Sequence, residues 1–245
     1  MALAHSEGAV LAARETLQRI DHRVVVGKSP YADRSLVALV RSMELPLYPR
    51  LRVYLQTRFA GELPGCVRAG EFDLAVVTNP LADAHLTCTP LCSKPFAVVL
   101  PEGHECVRQT AVMLKDLAST PWILFERHIH PTLYDSFRKR ARELAIGPEV
   151  IHHIADAEEA CEMVRQTGGV AFLTPHGAER AATDTVVIRY LGEPELFLST
   201  QLVVHAENRS MLISEFVRTF VKRLKLTGLY QPRIPEIAID ADRPA

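Results

Sequence analysis

The sequence lacks the features that would indicate a membrane span, an export signal or a disulfide framework. No apolar run reaches the ~18 residues needed to cross a bilayer, and residues 1–20 mix acidic and basic side chains among the apolar ones. The five cysteines are an odd number scattered along 245 residues, which favours reduced thiols. We therefore expect a cytoplasmic protein that makes no membrane contact.

An excess of charge of one sign is also missing. The 28 basic residues oppose 29 acidic ones, so the net charge of -1 supplies no overall field to hold a nucleic-acid backbone. We expect no direct contact with nucleic acid through these residues. Apolar residues make up 48% of the chain, enough for one large or two modest hydrophobic cores.

Catalytic signatures are missing as well. The chain contains no G-x-S-x-G, no G-x-x-x-x-G-K-[ST], no G-x-G-x-x-G after a strand and no H-E-x-x-H. His128 and His130 lie between a predicted strand and helix, where metal ligands could lie, but no carboxylate follows at ligand spacing. Cys88 and Cys92 lack a second Cys or His pair. We expect no metal, no cofactor, no catalytic residues and no enzymatic activity.

Hydrophobic periodicity predicts an α/β fold made of two successive units. Short β-branched apolar runs, typical of strands covered on both faces, alternate with apolar residues at helical spacing, an order that gives parallel sheets. The predicted strands cover 23–27, 51–57, 72–77, 95–101, 121–126, 149–155, 170–175, 185–191 and 200–205. The predicted helices cover 33–43, 63–69, 131–145, 156–167 and 211–226.

The ends of the chain and one internal helix carry further signals. Asp156 followed by Glu159 has the form of a capping box, and Gly168 is suited to end that helix. Residues 3–20 carry apolar side chains at heptad spacing, which predicts a helix that self-associates, although it could instead fold back on its own sheet. From Thr227 onwards the chain is expected to be poorly ordered.

The segment "VVVGKSPYADRS" contains a candidate binding turn. A break at Gly27 would let Ser29, Tyr31 and the amides of a helix that begins at Asp33 face a crevice at the strand end, where open α/β sheets bind ligands. Simple capping by Asp33, with Pro30 setting the turn, would explain the same residues. Three other turns have the equivalent place, at residues 56–59, 78–80 and 126–132.

Six segments together resemble the effector-binding half of the LysR-type transcriptional regulators. They are "VVVGKSPYADRS", "PRLRVYLQTRFAGELPGCVRAGEFDLAVVTNP", "PFAVVLPEGHE", "LASTPWILFE", "DAEEACEMVRQTGGVAFLTPHGAE" and "QLVVHAENRSMLISEFVRTFVKRL". The resemblance covers about residues 1 to 226, and it depends on the order and spacing of the segments because no single motif is strict.

The resemblance implies two Rossmann-like lobes joined by two hinge strands, the periplasmic-binding-protein-like type II fold, preceded by a linker helix. Residues 1–22 would form the linker and dimerisation helix, 23–95 with 203–226 lobe I, 96–202 lobe II and 227–245 a tail. The hinge strands would lie near 93–98 and 198–203.

The resemblance also implies a small, anionic effector in the cleft between the lobes, and an aromatic effector is equally compatible with the residues. The positions that would meet it are Ser29, Pro30, Tyr31, Gln56, Thr57, Arg58, Phe59, Thr78, Asn79, Arg127, His128, Val170, Ala171 and Phe172.

Members of this family begin with a winged helix-turn-helix, which is absent from this sequence. Truncation of a longer parent is the expected reason. The parent would bind promoter DNA and RNA polymerase, whereas this chain would form a homodimer or homotetramer and bind the effector. Three alternatives remain open: a transport solute-binding protein, an enzyme on the same frame and an oligomerisation module.

Overall fold

The fold consists of two β-sheets, each covered by helices. The computed structural model describes residues 20–30, 32–181 and 186–232. The predicted helix at residues 3–20 and the candidate site residue Tyr31 lie outside this described part, apart from Ile20.

The first sheet has the strand order β2-β1-β3-β11-β4, with β1 to β3 parallel and β11 antiparallel to both of its neighbours. Its strands are β1 (His22–Lys28), β2 (Leu51–Thr57), β3 (Leu74–Thr78), β4 (Leu86–Pro95) and β11 (Phe197–His205). Its helices are α1 (Arg34–Arg41), α2 (Leu63–Arg68) and α6 (Met211–Leu226). The middle strand β3 is buried at every position, as its run of apolar residues predicts.

The second sheet has the strand order β6-β10-β5-β9-β7-β8. Its strands are β5 (Ala97–Pro101), β6 (Ala111–Val112), β7 (Trp122–Phe125), β8 (Val150–Ile154), β9 (Val170–Leu173) and β10 (Val186–Leu191). Its α-helices are α3 (Pro131–Glu143), α4 (Ala157–Thr167) and α5 (Pro175–Ala181), and two short 3₁₀ helices cover Glu105–Arg108 and Leu114–Leu117. None of the helices in the described ranges is long and apolar enough to cross a membrane.

Helix ends follow the capping chemistry of the sequence. Asp33 accepts hydrogen bonds from the amides of Ser35 and Leu36, and Asp156 accepts one from the amide of Glu159. Glu159 in turn accepts from the amide of Ala155, one residue before the helix cap. Gly168 has a φ of 70°, the left-handed conformation expected at a helix end, so both predicted ends of α4 are confirmed.

Gly27 does not break the first strand, which continues to Lys28. A Cβ atom at Gly27 would lie 2.4 Å from the ring of Phe72 and 2.7 Å from Leu63. The prediction of a break there was wrong, and glycine is needed because a helix and a neighbouring segment pack directly on the backbone.

The chain passes between the sheets twice. The first crossing is at Phe96, between β4 and β5, within the predicted hinge at 93–98. The second occupies residues 192–196, between β10 and β11, so residues 197–202 pair with the first sheet although the sequence assigned them to lobe II. Glu193 anchors this crossing to the second sheet: it accepts from the Leu114 amide and from Arg140 Nε, both at 2.9 Å.

The segment after α6 is ordered up to Pro232, contrary to the expectation for a tail that begins at Thr227. Leu229 and Tyr230 pack against the core of the first sheet. The Gln231 amide donates to the carbonyl of Leu91 at 3.0 Å, and the Ser93 amide donates to the carbonyl of Gln231 at 2.7 Å. The segment therefore extends the sheet at the free edge of β4, just before the first crossing.

Candidate effector cavity

A cavity lies where the second sheet faces the first. It is formed at the carboxyl ends of the parallel strands β7, β8 and β9 and is closed by Phe96 at the first crossing and by Leu198 of β11. This end of a parallel sheet is where open α/β folds bind ligands. The volume of the cavity is about 70 Å³, which is enough for more than one water molecule. Its lining comprises Phe96, Phe125, Ile129, His130, Leu133, Ile154, Ala155, Asp156, Ala157, Phe172, Leu173, Thr174, Gly177 and Leu198.

The walls of the cavity are mainly hydrocarbon. Three phenylalanine rings and five aliphatic side chains of leucine or isoleucine supply most of the surface, and Asp156 is the one charged residue among those lining it. The Thr174 hydroxyl accepts a hydrogen bond from the Gly177 amide at 3.1 Å. A largely apolar pocket with few polar groups is the usual form of a small-molecule site.

His130 connects the two sheets across the cavity wall. Its Nε2 lies 2.9 Å from the Thr78 hydroxyl and 3.0 Å from the Thr78 carbonyl oxygen, at the end of β3. Its Nδ1 accepts a hydrogen bond from the Leu133 amide, and His130 thereby caps the start of α3. A neutral ring protonated at Nε2 satisfies this pattern, because a carbonyl can only accept and the amide can only donate.

Burial of His130 supports the neutral form. The side chain is 5% exposed, and loss of solvation lowers the pKa of the ring below its usual value, although the hydrogen bond to the Thr78 carbonyl acts in the opposite direction. The contact between the sheets is therefore a bond between neutral groups near neutral pH.

A second contact region lies beside the cavity. It brings Asp33, Cys92, Lys94 and Thr200 of the first sheet against the residues that begin α5. Lys94 forms an ion pair with Asp33. Burial of the Asp33 carboxyl would raise its pKa, but the hydrogen bond and charge of Lys94, with two helix amides, lower it.

Comparison with known proteins identifies the family. The family model described as the LysR substrate binding domain matches residues 18–225. This chain belongs to the LysR substrate-binding domain family. Among its relatives, a small neutral protease regulatory protein of Streptomyces coelicolor is 28% identical over 206 residues, 80% of this chain and 58% of that protein. The Escherichia coli regulator YnfL, of HTH type and uncharacterised, is 24% identical over 49% of this chain and 41% of that protein.

Solved structures show that the LysR effector domains share this fold. The BenM effector-binding domain with its effector benzoate superimposes with a TM-score of 0.73 at 14% identity, covering 87% of this chain and 96% of that one. HinK, a LysR-family regulator from Pseudomonas aeruginosa, gives a TM-score of 0.68 at 23% identity, covering 92% and 78%. The fold is the two-lobe, periplasmic-binding-protein-like type II fold, and each sheet described above is the centre of one lobe. The chain spans about half the length of the curated relatives it matches.

The predicted site residues of lobe I surround this LysR cleft without lining the cavity. Ser29 is fully buried and its carbonyl accepts from the Ala32 amide, while Pro30 is exposed. Thr78 binds His130. Asn79 bonds through its side chain to the backbone of Phe197 and Ser199 on β11, which ties the end of β3 to the sheet.

The predicted residues 56–59 lie at the end of β2, an edge strand of lobe I: Gln56 and Thr57 are its last two residues, and Arg58 and Phe59 follow it. Gln56 is half-buried, and Thr57 and Arg58 are exposed. Phe59 meets the ring of His128 edge-on, with the ring centroids 5.6 Å apart, so these two predicted residues lie together on the rim of the cleft.

The predicted residues of lobe II divide between the rim and the interior. Arg127 binds Asp135 with two hydrogen bonds of 2.8 and 2.7 Å, and that guanidinium lowers the pKa of the exposed Asp135 carboxyl. Val170 and Ala171 are buried within β9. Of the thirteen predicted positions that the structure describes, Phe172 is the one in the cavity lining.

Sequence reasoning missed most of the lining. His130 was considered as a metal ligand and as part of the turn 126–132, but not as an effector contact, although Pro131 at the first helical position marks it as the residue that caps α3. Ile129 and Leu133 flank it with helical spacing, which is a detectable signal. Phe96 and Leu198 carried no such signal, because they reach the cavity through the crossings between lobes.

Proposed function

We propose that this chain is the effector-sensing domain of a LysR-type transcriptional regulator. A small molecule enters the cavity at the ends of β7, β8 and β9, and its binding changes the balance between relative orientations of the two lobes. The observation that carries the proposal is that an apolar cavity is lined by lobe II, by Phe96 at the first crossing and by Leu198 of β11 in lobe I, with His130 bonded to lobe I at its wall.

A ligand in this position has the means to act on lobe orientation. It would contact Phe96 at the first crossing, Leu198 on β11 of lobe I, and Ile129 and Leu133 beside His130 in lobe II. A ligand shifts a conformational equilibrium only by its difference in affinity for the two states, and regulation typically needs about 1–3 kcal/mol. Simultaneous contacts with both lobes would provide such a difference.

The remaining parts of the proposal concern the longer protein. We propose that it acts in the cytoplasm as a homo-oligomer and that a DNA-binding segment outside this chain contacts promoter DNA and, with it, RNA polymerase. The predicted rim residues, among them Tyr31, would contact an effector that extends out of the cavity. We propose sensing without turnover, so that a bound ligand is recovered unchanged.

A metabolite screen by thermal shift, followed by calorimetry, tests the sensing role. An Ala155→Trp variant serves as the blocked form because Ala155 is exposed at the cavity rim, and Ala84→Trp, at an exposed position in the loop after β3, is the matched control. We expect a ligand that binds the native chain and the control but not the blocked variant. Ligands that bind all three forms equally, or that emerge chemically altered, would refute the proposal.

A further inference from the structure

We infer that the effector enters the cavity with an uncharged, mainly apolar group that carries a hydrogen-bond donor, and not with a carboxylate. This inference depends on the proposed function and specifies the class of ligand that the site accepts. It replaces the anionic effector that the sequence resemblance implied.

The first observation is the charge at the mouth of the cavity. The exposed residues Ala155 and Asp156 form this side, where α4 begins. Amides at a helix start usually favour an anion, but Asp156 already occupies this position and accepts the Glu159 amide at 2.8 Å. Glu158 and Glu159 follow in the first turn. Asp156 in the lining and the two glutamates beside it in the sequence make this end of α4 acidic, and like charges repel an arriving anion.

The second observation concerns two cations near the cleft. Lys94 is paired with Asp33, and Arg127 with Asp135 through two hydrogen bonds. To bind a carboxylate, either cation would have to give up a partner that it already holds. The charge at each of these positions is thus locally balanced.

The third observation is that the interior of the cavity offers no charge to pair with a carboxylate. His130, which lines it, is buried, and its Nδ1 accepts from the Leu133 amide and so carries no proton, which leaves the ring neutral. The surrounding Phe96, Phe125 and Phe172 rings offer dispersion contacts and no compensation for a buried charge. A neutral ring or alkyl group matches these walls.

Of the polar groups that remain, Asp156 requires a ligand that donates. Asp156 can only accept when ionised, whereas the Thr174 hydroxyl, which accepts from Gly177, can accept once more or donate. A neutral amide, alcohol or ring N–H can donate to either group. A carboxylate cannot donate to either of them.

Isosteric pairs of amide and carboxylate test the inference directly. The pairs are benzamide with benzoate, phenylacetamide with phenylacetate and cyclohexanecarboxamide with cyclohexanecarboxylate, titrated at pH 8 into the native chain, Ala155→Trp and Ala84→Trp. We expect at least one amide to bind about tenfold or more tightly than its carboxylate partner, a difference of ~1.4 kcal/mol. That binding should be lost in Ala155→Trp alone.

An Asp156→Asn variant identifies the cause of the selectivity. Asparagine caps a helix as well as aspartate does, so α4 should keep its start while the charge at the mouth falls. The amide should bind as before and the carboxylate more tightly, which narrows the difference.

Three results would overturn the inference. A carboxylate that binds more tightly than its amide, with binding lost in Ala155→Trp, would refute the ligand class and leave the proposed function intact. Selectivity unchanged in Asp156→Asn would refute its electrostatic cause. Absence of binding by every pair, while the metabolite screen yields a charged ligand that Ala155→Trp excludes, would also refute the class. A screen that yields no ligand, charged or neutral, whose binding is lost in Ala155→Trp would instead refute the proposed function.

Discussion

Replacement of His130 by asparagine should weaken the contact between the lobes and remove part of the dependence of stability on pH. The imidazole joins the end of β3 in lobe I to the start of α3 in lobe II. Asparagine is a good helix cap, so the bond to the Leu133 amide can persist. Its shorter side chain cannot also reach Thr78.

The expected loss of stability follows from the groups left behind. The Thr78 hydroxyl and carbonyl oxygen lie in a buried residue, 1% exposed, and both lose a hydrogen-bond donor. Leaving a buried acceptor unsatisfied costs about 1–3 kcal/mol. Thr78→Val is the milder comparison, because Nε2 keeps its 3.0 Å bond to the carbonyl oxygen, and we expect it to cost about 0.5–1.5 kcal/mol.

The pH dependence has a definite sign. Burial lowers the pKa of His130 in the folded state, whereas an unfolded histidine titrates near ~6.5. Below that pH the unfolded chain binds a proton that the folded chain does not, so the free energy of unfolding falls as the pH is lowered. This one group contributes at most ~1.4 kcal/mol for each pH unit, and the contribution ends below its folded pKa.

Urea unfolding of the native chain and His130→Asn between pH 8 and 5 measures this effect. The fluorescence of the single tryptophan, Trp122, reports on lobe II, where it is fully buried on β7. The difference between the two proteins should be largest at pH 8 and shrink below ~6.5 as the native chain loses its advantage. Other titrating groups cancel in this difference. Parallel curves for the two proteins across the whole range would refute the neutral, buried assignment of His130.

Three further predictions concern stability. Gly27→Ala should lower the free energy of unfolding by about 1–3 kcal/mol, because the new Cβ meets the Phe72 ring; an unchanged urea midpoint would contradict the packing account. Glu193→Ala should cost about 1–3 kcal/mol, since it leaves the buried Leu114 amide without an acceptor while Arg140 keeps Glu143 and Glu195 as partners, and Glu193→Gln, which can still accept, should cost clearly less. A chain that ends at Gly228 should melt below one that ends at Pro232, because it lacks the pairing of Gln231 with β4; equal melting temperatures would show that this pairing adds nothing.

The sequence predicts the elements of this fold better than their pairing. Buried strands and capped helices are set by local chemistry, such as the run Leu74–Thr78 or the Asp156 cap, and these were predicted correctly. The strand β4 was missed because residues 86–95 alternate without a clear apolar face. Its ladder with β11 is antiparallel, which makes the first sheet mixed, and it depends on contacts more than a hundred residues apart. The second sheet is mixed because β5 pairs antiparallel with β9 and β10.

The same distinction explains what the sequence predicts about the site. The positions of the strand-to-helix turns follow from topology, so the general region of the cleft could be predicted. Which side chains line the cavity depends on where the two crossings bring Phe96 and Leu198. The charge of a ligand is still less accessible to sequence reasoning. Arg127 suggests an anion site until its two bonds to Asp135 are seen, and Asp156 reads as a simple cap until it is found at the cavity mouth. The local partner of each charged group, more than its presence, therefore decides which ligand this cleft can accept.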